Sequence, residues 1–86
     1  VDIDWEFPGT LGAGNCPAGK TCARSNDYTN LTALLDKFRA HSGMSGKVLT
    51  AAVKAGPASG TYDYANFFGS RFDFVNIMTY DLYGAW

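Results

Sequence analysis

Three carboxylic acids stand at alternate positions near the start of the chain: Asp2, Asp4 and Glu6 within Val1-Asp2-Ile3-Asp4-Trp5-Glu6-Phe7. Successive side chains leave a strand on opposite faces, so strict alternation puts the three acids on one face and Val1, Ile3, Trp5 and Phe7 on the other. Neighbours on one face lie about 6.5 Å apart. Carboxylates so spaced repel one another, and burial would disfavour ionising all of them, so a proton held within the row is expected near neutral pH. A protonated carboxyl beside ionised ones is what an acid catalyst requires. The plainer alternative is a half-buried strand with a solvated acidic face. Two details favour chemistry. Asp is depleted in strands, so two on one face need a reason. Pro8-Gly9 then stops the strand just after Glu6. Glu6 is thereby set at a strand's C-terminal end, where parallel α/β proteins carry their active groups.

A second set of reactive side chains is expected at the same end. Residues 72–80 (FDFVNIMTY) read as a strand in which Met78 and Tyr80 share a face, with Asp81 directly after it. Between the two, residues 8–25 form a long Gly/Pro-rich loop. Residues 25–41 form a helix with Ser25, Asn26 or Asp27 as N-cap and Gly43 as C-cap. Leu31, Leu34, Leu35 and Phe38 make its apolar stripe. Residues 47–53 (KVLTAAV) form a buried strand, and residues 63–68 a short helix. Strand, helix, strand, helix, strand is the pattern of right-handed βαβ units on a parallel sheet. Glu6, Tyr80 and Asp81 then gather at one sheet edge. Gly9-x-x-Gly12-x-Gly14 lacks the order of the dinucleotide fingerprint and no helix follows it directly. His41, the only histidine, reads as an exposed helix end.

The chain has 86 residues, is 47% hydrophobic and carries a formal net charge of −1, a globular composition. Without a basic patch, nucleic acid is not the expected partner. No apolar run approaches the ~20 residues of a membrane span. Cys16 and Cys22 are separated by five residues, which is not the C-x-x-C spacing of metal or redox pairs. A small-loop disulfide is expected, which implies an oxidising compartment and hence secretion; two reduced loop cysteines are the alternative. Both ends of the sequence read as cut from a longer chain.

Asp2-x-Asp4-x-Glu6 with Trp5 before the acid and Phe7-Pro8-Gly9 after it resembles the catalytic strand of family 18 glycoside hydrolases, the chitinases. Met78-x-Tyr80-Asp81 is similar to the family's second signature, and Tyr83-Gly84-x-Trp86 to the aromatic segment after it. The resemblance covers nearly the whole chain and is weakest in the loop over residues 10–24. It implies a (β/α)8 TIM barrel, of which residues 1–86 would be one partial catalytic domain holding strands four to six and two helices. It also implies hydrolysis of chitin or chito-oligosaccharides with no cofactor and no metal. In this family Glu6 would protonate the glycosidic oxygen while the substrate's own N-acetyl oxygen acts as nucleophile. Asp4 would orient the acetamide, Asp2 would share a proton with Asp4, and Tyr80 would donate to the acetamide oxygen. Asp81, Met78 and Trp86 would bind the sugars. The 86-residue segment by itself is expected to be inactive.

Three other readings compete. A chitinase-like lectin would share the barrel without turnover, though such proteins usually lack the acid that Glu6 supplies. An endo-β-N-acetylglucosaminidase acting on N-glycans would share the chemistry. A Ca²⁺ or Mg²⁺ site built from Asp2, Asp4, Glu6 and Asp81 would suit the oxygen donors, but strand spacing holds them too far apart for one ion.

Overall fold

The computed structural model describes residues 1–12, 14–56 and 71–84. Three parallel strands, β1 (Asp2–Ile3), β2 (Thr50–Lys54) and β3 (Phe74–Met78), form one sheet in the order β1-β2-β3. Among the described residues one α-helix, α1 (Asp27–Ala40), crosses between β1 and β2 and is followed by a 3₁₀ turn at Ser42–Met44. The parallel α/β arrangement expected from the alternating patterns is present. The short helix expected over residues 63–68 lies outside the described residues.

Register fixes the two faces. Asp2 pairs with Thr50 and Ile3 with Ala51, and β2 pairs with β3 from Thr50↔Phe74 to Lys54↔Met78. Ile3, Ala51, Val53 and Val75 therefore face α1, where Leu31, Leu35, Leu49, Ala51, Val53 and Phe72 form the buried core. Leu35 and Leu49 are fully buried. Each contributes on the order of 1.5–3 kcal/mol by leaving water. The helical stripe is borne out at Leu31, Leu35 and Phe38. Leu34 departs from it: it stands at the edge of the stripe, 42% exposed, beside Phe38, His41 and Met44 on an open apolar hollow of about 420 Å³.

The boundaries of four elements differ from expectation; β3, expected over residues 72–80, runs only over Phe74–Met78 and so ends before Tyr80. The ladder of β1 covers two residues, not seven: β2 runs on to Lys54 while the chain of residues 4–7 departs from it. α1 starts at Asp27. Asn26 holds the N-cap position without a side-chain hydrogen bond, and His41, not Gly43, is the C-cap. The exposed His41 side chain instead accepts the Gly43 N–H through Nδ1 at 3.1 Å. Strand β2 begins three residues later than expected and extends one residue further, to Lys54.

Away from Glu6, at the N-terminal ends of β2 and β3, α1 is tied down by charge. Arg39 donates from Nε to the Arg71 carbonyl at 2.6 Å and from Nη2 to Asp73 at 2.8 Å. The same Asp73 oxygen accepts the Leu49 N–H at 2.8 Å, and Arg71 pairs with Asp36 at 2.9 Å. These contacts fix the helix over the sheet where β2 and β3 begin.

Candidate active site

Because β1 leaves the ladder early, a gap opens between Glu6 and the C-terminal ends of β2 and β3. Glu6, Phe7, Lys54, Met78, Tyr80 and Asp81 line this open cleft of about 380 Å³, with Ala55, Gly56 and Leu82 completing it. Four of the residues singled out from the sequence (Glu6, Met78, Tyr80 and Asp81) are thus brought together. Asp2 and Asp4 are not among the lining residues. Trp86 lies outside the described residues. Tyr80 is 65% exposed, and Asp81 adopts a left-handed backbone with φ 51°, a conformation that Asp tolerates better than most residues. The turn there carries Leu82 and Tyr83 into solvent.

The burial expected of the acid row is absent. Asp2, Asp4 and Glu6 are all exposed, because among the described residues nothing covers that face of the sheet. Asp2 nonetheless has a firm partner. Thr50 Oγ1, from the neighbouring strand, donates to Asp2 Oδ1 at 2.5 Å. Among the described residues no group of three or more His, Cys, Asp or Glu side chains is placed to hold a metal ion, so the four acids of the alternative cation site do not converge.

Two site residues escaped the sequence reading. Lys54 ends β2 in register with Met78, and its ammonium sits 5.4 Å from the centre of the Phe7 ring, a cation–π contact worth about 0.5–1 kcal/mol at an exposed site. Continuing the β2 alternation by one residue, Thr50, Ala52, Lys54, would have put it on the acid face. Thr50 could not be found by pattern, since its role depends on which residue it pairs with across the sheet.

The loop after Glu6 is anchored at several points. Thr10 N–H returns to the Phe7 carbonyl at 3.2 Å. Gly12 passes so close to the Glu6 carbonyl oxygen that any Cβ would collide with it. Further on, Lys20 N–H bonds the Pro17 carbonyl at 3.0 Å, a turn whose third residue, Gly19, has φ 74°. Positive φ at that position is what glycine supplies at no steric cost. The turn brings Cys16 and Cys22 together in a disulfide with Cα atoms 5.7 Å apart, as expected for this small loop. No described helix is long and apolar enough to cross a membrane.

Comparison with known proteins agrees with this architecture. The family model for glycosyl hydrolases family 18 matches residues 1–86, and the chain belongs to that family. It is 38% identical to the Caenorhabditis elegans protein named "Probable endochitinase", covering 100% of this chain and 13% of that protein. It is 39% identical to "Chitinase A1" of Niallia circulans, covering 100% and 12%. With "Chitinase 63" of Streptomyces plicatus the identity is 27%, covering 100% and 13%. The chain thus spans 12–13% of the length of these relatives. No solved structure matches it significantly.

Proposed function

We propose that this chain is the central part, strands four to six, of a secreted chitinase's (β/α)8 catalytic barrel, and that the complete enzyme cleaves β-1,4-linked N-acetylglucosamine polymers with retention. Substrate-assisted family 18 enzymes depart from the usual pair of protein carboxylates. Here Glu6 gives its proton to the glycosidic oxygen as that C–O bond breaks. The acetamide oxygen of the sugar being cut forms the new bond to the anomeric carbon, giving an oxazolinium ion. Water then attacks the anomeric carbon and returns a proton to Glu6. Asp4 accepts the acetamide N–H and Asp2 shares a proton with Asp4. Tyr80 donates to the acetamide oxygen, Asp81 binds sugar hydroxyls, Met78 forms apolar floor and Trp86 stacks on a ring.

The observation that carries this reading is the common cleft of Glu6, Met78, Tyr80 and Asp81 at the C-terminal ends of parallel strands, the end at which TIM barrels do their chemistry. In the full-length protein Glu6→Gln keeps the shape and removes the proton. It is expected to bind chito-oligosaccharide normally and lose roughly a hundredfold or more in kcat. A substrate with a free amine in place of the acetamide is expected to be inert. A Glu6→Gln enzyme with a tenth of wild-type kcat, or equal rates on the two sugars, would refute the mechanism.

A further inference from the structure

We propose that Thr50 is a positioning residue for the catalytic carboxylate row; this rests on the reading of Asp2 as a member of that row. Thr50 opens β2 directly opposite Asp2 and is only 6% exposed. Its N–H bonds the Val1 carbonyl at 2.9 Å, so the two backbones are locked in register at this pair. Its hydroxyl carries one proton and has two acceptors within reach. The Val1 carbonyl is 3.5 Å away and Asp2 Oδ1 2.5 Å. The proton belongs to Asp2, at a separation typical of hydroxyl bonds to carboxylates, about 2.5–2.7 Å.

This bond does more than satisfy a polar group. Asp2 is exposed, so water could serve it equally well, but water would not fix its torsion. A β-branched donor on a buried strand position is stiff at χ1, and so is its oxygen. With Oδ1 held by Thr50, the torsions of the Asp2 side chain are restricted, while Oδ2 and the second lone pair of Oδ1 are left for further partners. Asp4 lies two residues on from this anchor, on a stretch that has already left the β2 ladder. Thr50 thus supplies lateral restraint at Asp2, the last acid of the row that is still paired with β2.

The position allows a clean separation of stability from orientation. In the full-length protein Thr50→Val keeps the branched shape and removes the donor, while Thr50→Ser keeps the donor and removes the buried methyl. The expectation is a roughly ten- to hundredfold loss of kcat in Thr50→Val, the effect of losing a hydrogen bond to a charged group. KM stays within about twofold, since Asp2 does not line the cleft. Thr50→Ser retains kcat within about threefold while having the lower thermal midpoint of the two. Activity that follows thermal stability in both variants, or a Thr50→Val enzyme with wild-type kcat, overturns the proposal. If Thr50→Val does not fold, a tenfold loss in the folded Thr50→Ser overturns it, and near-normal kcat there supports it. The same assay on Glu6→Gln keeps the two levels apart: an active Glu6→Gln defeats the proposed mechanism, whereas an inactive one with indifferent Thr50 variants defeats only the role given to Thr50.

Discussion

Asp27 Oδ2 accepts the backbone N–H of Gly9 at 3.1 Å, across 18 positions of sequence. The same oxygen accepts the Arg24 N–H at 2.9 Å, and the side chain is almost completely buried. One carboxylate in the first turn of α1 therefore closes both ends of the loop that follows Glu6. Asp27→Ala would leave two amide N–H groups without their acceptor. The expected cost is about 1–3 kcal/mol, with a smaller loss for Asp27→Asn, which keeps one accepting oxygen. Denaturant midpoints of the full-length variants check this; equal stability of all three proteins would mean that water replaces the carboxylate freely.

Asp73 predicts a dependence on pH. The Leu49 N–H, followed by the Arg39 guanidinium, holds its carboxyl below the usual carboxylate value. A carboxyl depressed in the folded state stabilises the fold above its unfolded pKa, about 3.9. That contribution fades as pH falls from there through the lower folded value. Asp73→Asn is therefore expected to be less stable than the parent at pH 7, with the gap closing toward pH 3. Midpoints measured at both pH values decide it, and a gap that stays constant removes the titration of Asp73 as its cause. Because the Arg39–Asp73 pair is part-exposed, added salt should narrow the gap at pH 7 as well.

The disulfide predicts a local effect. Mass spectrometry of the non-reduced protein should find Cys16 joined to Cys22. Replacing both by serine should cost roughly 2 kcal/mol in the chain-entropy model. Since neither cysteine lines the cleft, kcat should change little. Cross-links from either cysteine to another part of the protein, or a large loss of kcat in the double variant, would contradict the picture of a self-contained loop.

Much of this molecule could be read from periodicity because its determinants are near neighbours in sequence. Alternation at the start of the chain gave a strand, of which Asp2–Ile3 is paired. The spacing of Leu31, Leu35 and Phe38 gave a helix and the side it buries. The ends of both outer segments put Glu6 and Tyr80 at one edge. The remainder depends on partners far along the chain. That Asp27 serves Gly9 and not the helix N-terminus, and that Asp73 serves Leu49 and Arg39, are consequences of packing. Asp27 reads equally well as an ordinary cap, and only the path of the loop selects its other use. The early departure of β1 from β2 is likewise invisible to alternation, which marks which side a residue faces and not how long its strand stays paired.

The contact between Gly12 and the Glu6 carbonyl divides the loop into two regimes of tolerance. At Gly12 the backbone is pressed against the carbonyl of the residue that carries the acid, and even a methyl group is excluded. Beyond it, residues 17–22 are all exposed and their ends are joined by their own covalent bridge. Lengthening a closed surface loop costs little, about 0.6 kcal/mol for each doubling, and the bridge keeps that cost from spreading along the chain. The segment between the cysteines is thus a natural insertion point. A peptide tag, a binding epitope or a longer substrate-gripping finger could be grafted there, with Gly12 as the boundary before which the sequence is not free to be rewritten.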